Sequence, residues 1–300
     1  MLALIADALQ QSLIFLPLTL GIYLTYRIIN ITDLTVGSSF VIGAAVFAKL
    51  LTNGATQIEA TLAALVGGLL AGLGVYALQR YAKINSLIAS ILAVFMLFSV
   101  SFAIMNQPNI SLLNNQTTLN TLQNMGPRDF NFALLTFGAF IFGLVYLLLK
   151  SKIGLRFRAY GNNANLLNRL GHNAYFYLAA SLMISNMLAA LCGVMTAQVN
   201  GYADIHMDDG VALTAIGAVV IGCQLMKALF IKSKNYYPAV ELIGCVFGAF
   251  IYFFVLHVFL EFNINPIYLK LCLGLLLAVF LSTAHYSRER GLQYETAIAN

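Results

Sequence analysis

Hydroxyl and amide side chains stand inside otherwise apolar runs at several places: Thr35, Ser38 and Ser39 early, Ser185 and Asn186 in the middle, Thr214 later. Such groups hold and hand on a polar solute, and they suit a translocation path better than bond-breaking chemistry. His257 is the only histidine deep in an apolar run, and an ionisable residue there is a functional candidate by default. A neutral imidazole bonded to a neighbouring helix is the plainer state. Cys192, Cys223, Cys245 and Cys272 each sit alone, without C-x-x-C spacing, and read as buried small hydrophobes. No H-E-x-x-H, G-x-S-x-G or G-x-x-x-x-G-K-[ST] pattern occurs, so no catalytic residue, metal or cofactor is expected and the chain cannot use ATP as P-loop proteins do.

Charge gathers in two stretches. Ser151 to Asn173 carries Arg156, Arg158 and Arg169. Gly161 is expected to break the chain there, with Asn162 or Asn163 capping a short helix that ends near Gly171. A short basic helix of this kind either docks a soluble partner or anchors to anionic lipid. Asp204, Asp208 and Asp209 form an acidic cluster, and residues 106–129 are rich in Asn, Gln and Thr. Both features suit an exposed docking face. Asp33 is read mainly as a helix-start residue, where a carboxylate meets the positive end of the helix dipole and Thr32 or Asp33 can cap.

The elements that must position these groups follow from composition. Of 300 residues, 60% are apolar and 9% charged, with mean hydropathy +0.84. A soluble domain is about 25% charged, and too little charge remains here to cover a water-facing exterior. The bilayer is the solvent that fits, and it demands helices that satisfy their own backbone. Nine runs approach the roughly 20 apolar residues a span requires: about 2–26, 34–52, 57–78, 84–105, 130–150, 174–199, 211–229, 237–260 and 267–285. The expected fold is thus an all-α, polytopic helix bundle forming one transmembrane domain over 1–300.

Orientation follows from the basic residues. Placing the C-terminus inside puts Arg27, Arg80, Lys83, Lys150, Lys152, Arg156, Arg158, Arg169, Lys227, Lys232, Lys234, Arg288 and Arg290 in the cytoplasm. Only Lys49, Arg128 and Lys270 then lie outside, as the positive-inside rule requires. The N-terminus is outside, 151–173 is a cytoplasmic loop and 106–129 an outer one. Small residues at four-residue spacing (Gly68-Gly72, the Ser181-to-Ala197 row, Gly244-Gly248) mark seams where helix backbones approach closely. Pro17 is expected to bend the first segment.

Three stretches resemble the permease subunits of bacterial ABC importers, the branched-chain amino acid and ribose type. Arg158-Ala159-x-Gly161-x-Asn163, followed by Gly171, looks like their coupling loop. Ile31 to Ser38 is similar to a G-I-D-L-S-V-G-S segment of sugar-type members, and Ala212 to Gly222 resembles their A-I-A-A-V-V-I-G-G helix. All three occur in the family's order. The glutamate that many coupling loops carry is missing, and Cys223 replaces the second glycine of the last motif. The resemblance implies a transporter subunit for a small organic solute in the bacterial cytoplasmic membrane, not an enzyme. It implies cytosolic ATPase subunits that meet Arg156, Arg158, Gly161, Asn163, Arg169 and Gly171. It also implies a periplasmic or lipid-anchored solute-binding protein landing near Asp204, Asp208 and Asp209, a second permease copy, and no nucleic acid. An ion-coupled secondary transporter is the alternative; such proteins hold ionisable groups at span centres, where this sequence offers essentially only His257.

Overall fold

The computed structural model of the chain describes residues 2–229 and 238–262, with 271, 274, 275 and 278. Its helices are α1 (Leu2–Ile14), α2 (Leu16–Ile22), α3 (Thr35–Thr52), α4 (Gln57–Arg80), α5 (Ser86–Met105), α6 (Thr118–Met125), α7 (Pro127–Lys150), α8 (Lys152–Asn162), α9 (Ala164–Arg169), α10 (Ala174–Asn200), α11 (Val211–Leu229) and α12 (Pro238–Glu261). A single π-helical turn, Tyr23–Ile28, extends α2. Two short strands, β1 (Asn109–Ser111) and β2 (Tyr202–Asp204), pair antiparallel with Asn109 opposite Asp204.

Among the described residues six helices are long and apolar enough to cross a membrane: α3, α4, α5, α7, α10 and residues 239–261 of α12. The first expected span is instead a broken pair, bent by 51° at Phe15, beside the proline that the sequence marks as the bend. The seventh, α11, is a shorter apolar helix. The ninth expected span, with Lys232, Lys234, Arg288 and Arg290, lies essentially outside the described residues.

Helix ends follow local chemistry. Thr56 and Glu59 form a capping box at the start of α4, and Asn85 and Asn173 cap α5 and α10 through their side chains. Gly201, at φ 74°, closes α10 in the left-handed conformation that glycine adopts freely.

Two helices make the centre. α3 is 78% buried and α5 only 22%, so α3 belongs to the protein interior and α5 turns an apolar flank to lipid. The α3 and α10 backbones touch: a Cβ at Gly43 would overlap the Ala190 carbonyl, and one at Gly193 the Phe40 carbonyl oxygen. Gly68 and Gly72 bring α4 onto the same helix, where added Cβ atoms would sit 2.6 Å and 2.5 Å from the Asn186 and Leu182 oxygens. Gly222, Gly244 and Gly248 do the same between α11 and α12. These are seams expected from the small-residue rows, and van der Waals contact across them replaces the hydrophobic drive that lipid removes.

Candidate functional site

A cavity of about 430 Å³ lies at the end of the bundle that carries β1 and β2. Its polar lining is Asp7, Gln10 and Gln11 of α1, Gln123 of α6, Thr196 and Asn200 of α10, and His257 of α12. Phe15, Phe40 and Phe130 supply aromatic wall. Phe15 occupies the break between α1 and α2; its ring stacks on Phe40 at 6.0 Å and tilts against Phe253 at 4.9 Å. His257 Nδ1 lies 2.8 Å from the Phe253 carbonyl. With the proton on Nδ1, Nε2 is left as an acceptor. The cavity thus offers one carboxylate, one imidazole, several amides and an aromatic floor, which suits a small polar solute with an apolar body.

The break that shapes this cavity is stitched from α10. Pro17 has no N–H to give the preceding turn, and the Cys192 thiol donates to the Ile14 carbonyl at 3.3 Å. The Leu18 N–H in turn meets the Cys192 sulfur. Cys192 is therefore more than the apolar filler its sequence context suggests.

The hydroxyls and amide singled out by sequence are gathered elsewhere. Asp33 is 3% exposed; its Oδ1 accepts from the Thr35 N–H at 3.0 Å and from the Thr35 hydroxyl, one residue ahead of Leu34, the N-cap of α3, whose own side chain makes no cap bond. Asn186 Nδ2 donates to Asp33 Oδ2 at 2.8 Å, and Asn186 Oδ1 accepts from Ser39 at 2.6 Å and Thr35 at 3.2 Å. Ser38 and Ser185 are buried hydroxyls without a partner among the described residues, and Ser185 lies against Gly21 of α2. Thr35, Ser39 and Asn186 with Asp33 thus form a buried polar core between α3 and α10, and none of the five path residues lines the cavity. Thr214 stands apart, its hydroxyl on the Val211 carbonyl. Asn186 is 12 residues beyond Ala174, the start of α10, about 18 Å along the helix. A carboxylate therefore sits at span depth, which sequence reasoning missed because Asp33 falls just ahead of its helix.

At the opposite end, α8 and α9 form a hairpin between α7 and α10. Asn163 caps α9 by accepting from the Asn165 N–H, and Gly171, at φ 76°, follows it in left-handed conformation. The break falls at Asn163 rather than at Gly161, which lies in the last turn of α8; a Cβ at Gly161 would overlap the Ile28 carbonyl oxygen. Asn30, itself at φ 59°, donates to the Gly161 carbonyl at 2.9 Å. Arg156 reaches the Tyr177 hydroxyl at 3.0 Å, and Arg158 the Leu149 carbonyl at 3.2 Å. One face of the hairpin, with Phe157 and Leu167 buried, is fastened to the bundle. The other presents Leu155, Leu166, Leu170 and Arg169 outward.

A second group missed from sequence joins the π-helical turn to α12. Arg27 Nη2 lies 2.6 Å from Glu241 Oε1, and the Tyr23 hydroxyl donates to Glu241 Oε2 at 3.1 Å. Glu241 is 7% exposed. A lone glutamate at the head of an apolar run is the signal that a partner must exist; the partner, 214 residues away, is not legible.

Of the acidic cluster, Asp204 accepts from Asn109 Nδ2 at 3.1 Å and from the His206 N–H at 2.8 Å, closing the sheet. Asp208 packs beside Gly37. Burial pushes its carboxyl above the ordinary range, a backbone hydrogen bond opposes this, and the Asp209 charge adds to the rise. Asp204 and Asp208 are thus partly buried, and Asp209 is exposed.

The sequence model of the family described as branched-chain amino acid transport system / permease component matches residues 4–281. An uncharacterised protein of Rickettsia prowazekii (strain Madrid E) is 46% identical, over 92% of this chain and 96% of its own length. A protein named tyrosine transport system permease protein, of Clostridioides difficile (strain R20291), is 32% identical over 94% of this chain and 91% of its own. No solved structure matches.

Proposed function

The chain belongs to the family of permease components of branched-chain amino acid transport systems, and from that premise we propose that it is the membrane-spanning subunit of an ATP-driven importer for a small, amino acid-like solute. It is a multi-pass membrane transporter subunit rather than an enzyme; the solute class, the ATPase and the assembly are the proposal. The observation that carries the reading is the α8–α9 hairpin, fastened to the bundle on one face and offering exposed leucines and Arg169 on the other. A buried amphipathic anchor with an apolar outer ridge fits a groove in a soluble partner. Two copies of the permease would present two such hairpins to a pair of ATPase subunits.

The cavity at the other end receives the solute. The Clostridioides relative's name points to an amino acid, and a cavity of about 430 Å³ with Asp7 and amides around an aromatic floor fits that class. A solute-binding protein on the outer face of a bacterial cytoplasmic membrane would deliver it across the β1–β2 surface, near Asp204, Asp208 and Asp209.

Affinity purification from membranes in mild detergent tests the assignment. An ABC ATPase is expected to co-purify with the wild-type chain and to be lost from Leu166→Asp/Leu170→Asp, a variant whose changes lie on exposed side chains. Recovery of the ATPase with both forms would remove the hairpin from the docking role, and its absence from both would reject the ATP-driven reading. One observation favours the ion-coupled alternative: the buried Asp33 carboxylate beside Asn186. Uptake that survives ATP depletion but collapses with the proton or sodium gradient would establish it.

A further inference from the structure

Three elements meet on the short stretch Tyr23–Asp33. On one side α8 rests on it: the missing side chain of Gly161 lets the helix backbone onto the Ile28 carbonyl, and Asn30 Nδ2 grips the Gly161 oxygen at 2.9 Å. On another side Arg27 and Tyr23 hold Glu241 of α12. At its end Asp33 binds Asn186 of α10. We propose that this stretch transmits movement of the α8–α9 hairpin to the cavity, with the Arg27–Glu241 ion pair as its joint; the proposal rests on the hairpin being the ATPase-docking surface.

The geometry favours transmission over simple bracing for three reasons. First, residues 23–28 form a π-helical turn, a rare conformation that is frequent at functional sites. Second, at Gly161 the α8 backbone meets the Ile28 carbonyl with no side chain between them, so a displacement of the hairpin moves Ile28 directly. Third, both elements joined at the ion pair lead to the same cavity floor. Along α12, His257 lies 16 residues beyond Glu241, about 24 Å at 1.5 Å per residue. Along α2 the chain runs from Tyr23 back to Phe15, whose ring touches Phe253 at 4.9 Å. A tilt of α12 against α2 at Arg27–Glu241 therefore shifts Phe253 and His257 relative to Phe15. Arg27 and Glu241 are positioning residues here, acting through the helices that carry the lining.

Co-purified transporter with an Asn200→Cys reporter at the cavity, in a Cys272→Ser background, tests this. Its labelling by a hydrophilic maleimide is followed without nucleotide and with ATP plus orthovanadate. In the otherwise wild-type protein trapping is expected to change the labelling rate about fivefold or more, the lower end of ordinary site-to-site coupling. Glu241→Gln should keep the ATPase and the unfolding temperature within a few degrees yet lose the change, and Arg27→Lys should retain part of it. If Glu241→Gln proves unstable, Tyr23→Phe and Arg27→Lys carry the test, with a reduced change expected in each. A full response in the ion-pair variants, or no response in wild type with its ATPase bound, overturns the proposal. No ATPase in the wild-type preparation overturns the functional reading first, and this inference falls with it.

Discussion

A methyl group added at Gly161 has nowhere to go, because the atom it meets is the Ile28 backbone oxygen rather than a movable side chain. Gly161→Ala should therefore cost about 1–3 kcal/mol, the usual penalty of overpacking, and be read as a lower unfolding temperature of the detergent-purified protein. Two other glycines provide controls. Gly171 has open space but φ 76°, so alanine there should cost about 1 kcal/mol through backbone strain alone. Gly143 has open space and an ordinary φ, and alanine should stay within about 0.5 kcal/mol of wild type. Asn186 is the other position at which one substitution undoes several bonds. Asn186→Ala removes the donor to Asp33 Oδ2 and the acceptor for Ser39, while Asp33 Oδ1 keeps its bonds from Thr35. Leaving buried polar atoms without partners costs about 1–3 kcal/mol, so this variant should accumulate poorly and unfold at a lower temperature than wild type. If it purified as well as wild type, the polar core would not be holding α3 to α10.

At the scale of the helix, the break in the first span has a cause and a repair that can be separated. Pro17 removes the N–H that would meet the Leu13 carbonyl, and one residue on Cys192 takes both the Ile14 carbonyl and the Leu18 N–H, which would otherwise pair with each other. Cys192→Val keeps the bulk but not the bond and should lose about 1 kcal/mol, whereas Cys192→Ser should lose less; thermal unfolding of the two side by side decides it. The comparison also marks what was legible in the sequence. Apolar run length foretold the six helices that are long enough to cross a membrane among the described residues, since bilayer thickness fixes how much helix is needed; it did not foretell the break in the first run or the shortness of α11. The glycine rows foretold the α4–α10 and α11–α12 seams, because close backbone approach leaves few residue choices. Asn163 was readable as a cap through a rule that acts within three residues. Gly161 misled for the opposite reason: glycine as a breaker and glycine as a contact point look alike until its neighbour, Ile28, is known. The Arg27–Glu241 and Asp33–Asn186 pairs, 214 and 153 residues apart, depend on which helices cross. So does the cavity, assembled from α1, α3, α6, α7, α10 and α12, which is why the path residues read from polarity alone, Thr35, Ser38, Ser39, Ser185 and Asn186, are buried outside its lining.

Across the whole molecule, the two ends differ in charge, and the functional reading depends on which end faces the cytoplasm. The end bearing α8 and α9 carries Arg156, Arg158 and Arg169, with Arg27, Arg80, Lys83, Lys150, Lys152 and Lys227 on helix ends or connectors of the same expected side. The β1–β2 end draws together the connectors at 106–129 and 201–210, which the chain reaches by separate routes; their pairing at Asn109 and Asp204 fixes them on one side. Among the described residues only Lys49 and Arg128 are basic on the expected outer side. An inverted insertion would place nearly every arginine and lysine against the rule that positive loops stay inside. Cysteines placed at Asn114 and Asn165, both exposed, report the outcome. Cys192, Cys223 and Cys245 are buried and should stay silent, while Cys272 is replaced by serine. In intact cells an impermeant maleimide should label Asn114→Cys and spare Asn165→Cys, and disruption of the cells should make the second reactive. The reverse pattern would put the hairpin outside, beyond the reach of any ATP-driven partner, and would leave the cavity facing the cytoplasm. That single inversion would remove both the docking role of α8 and α9 and the import direction, while every hydrogen bond described above stayed in place.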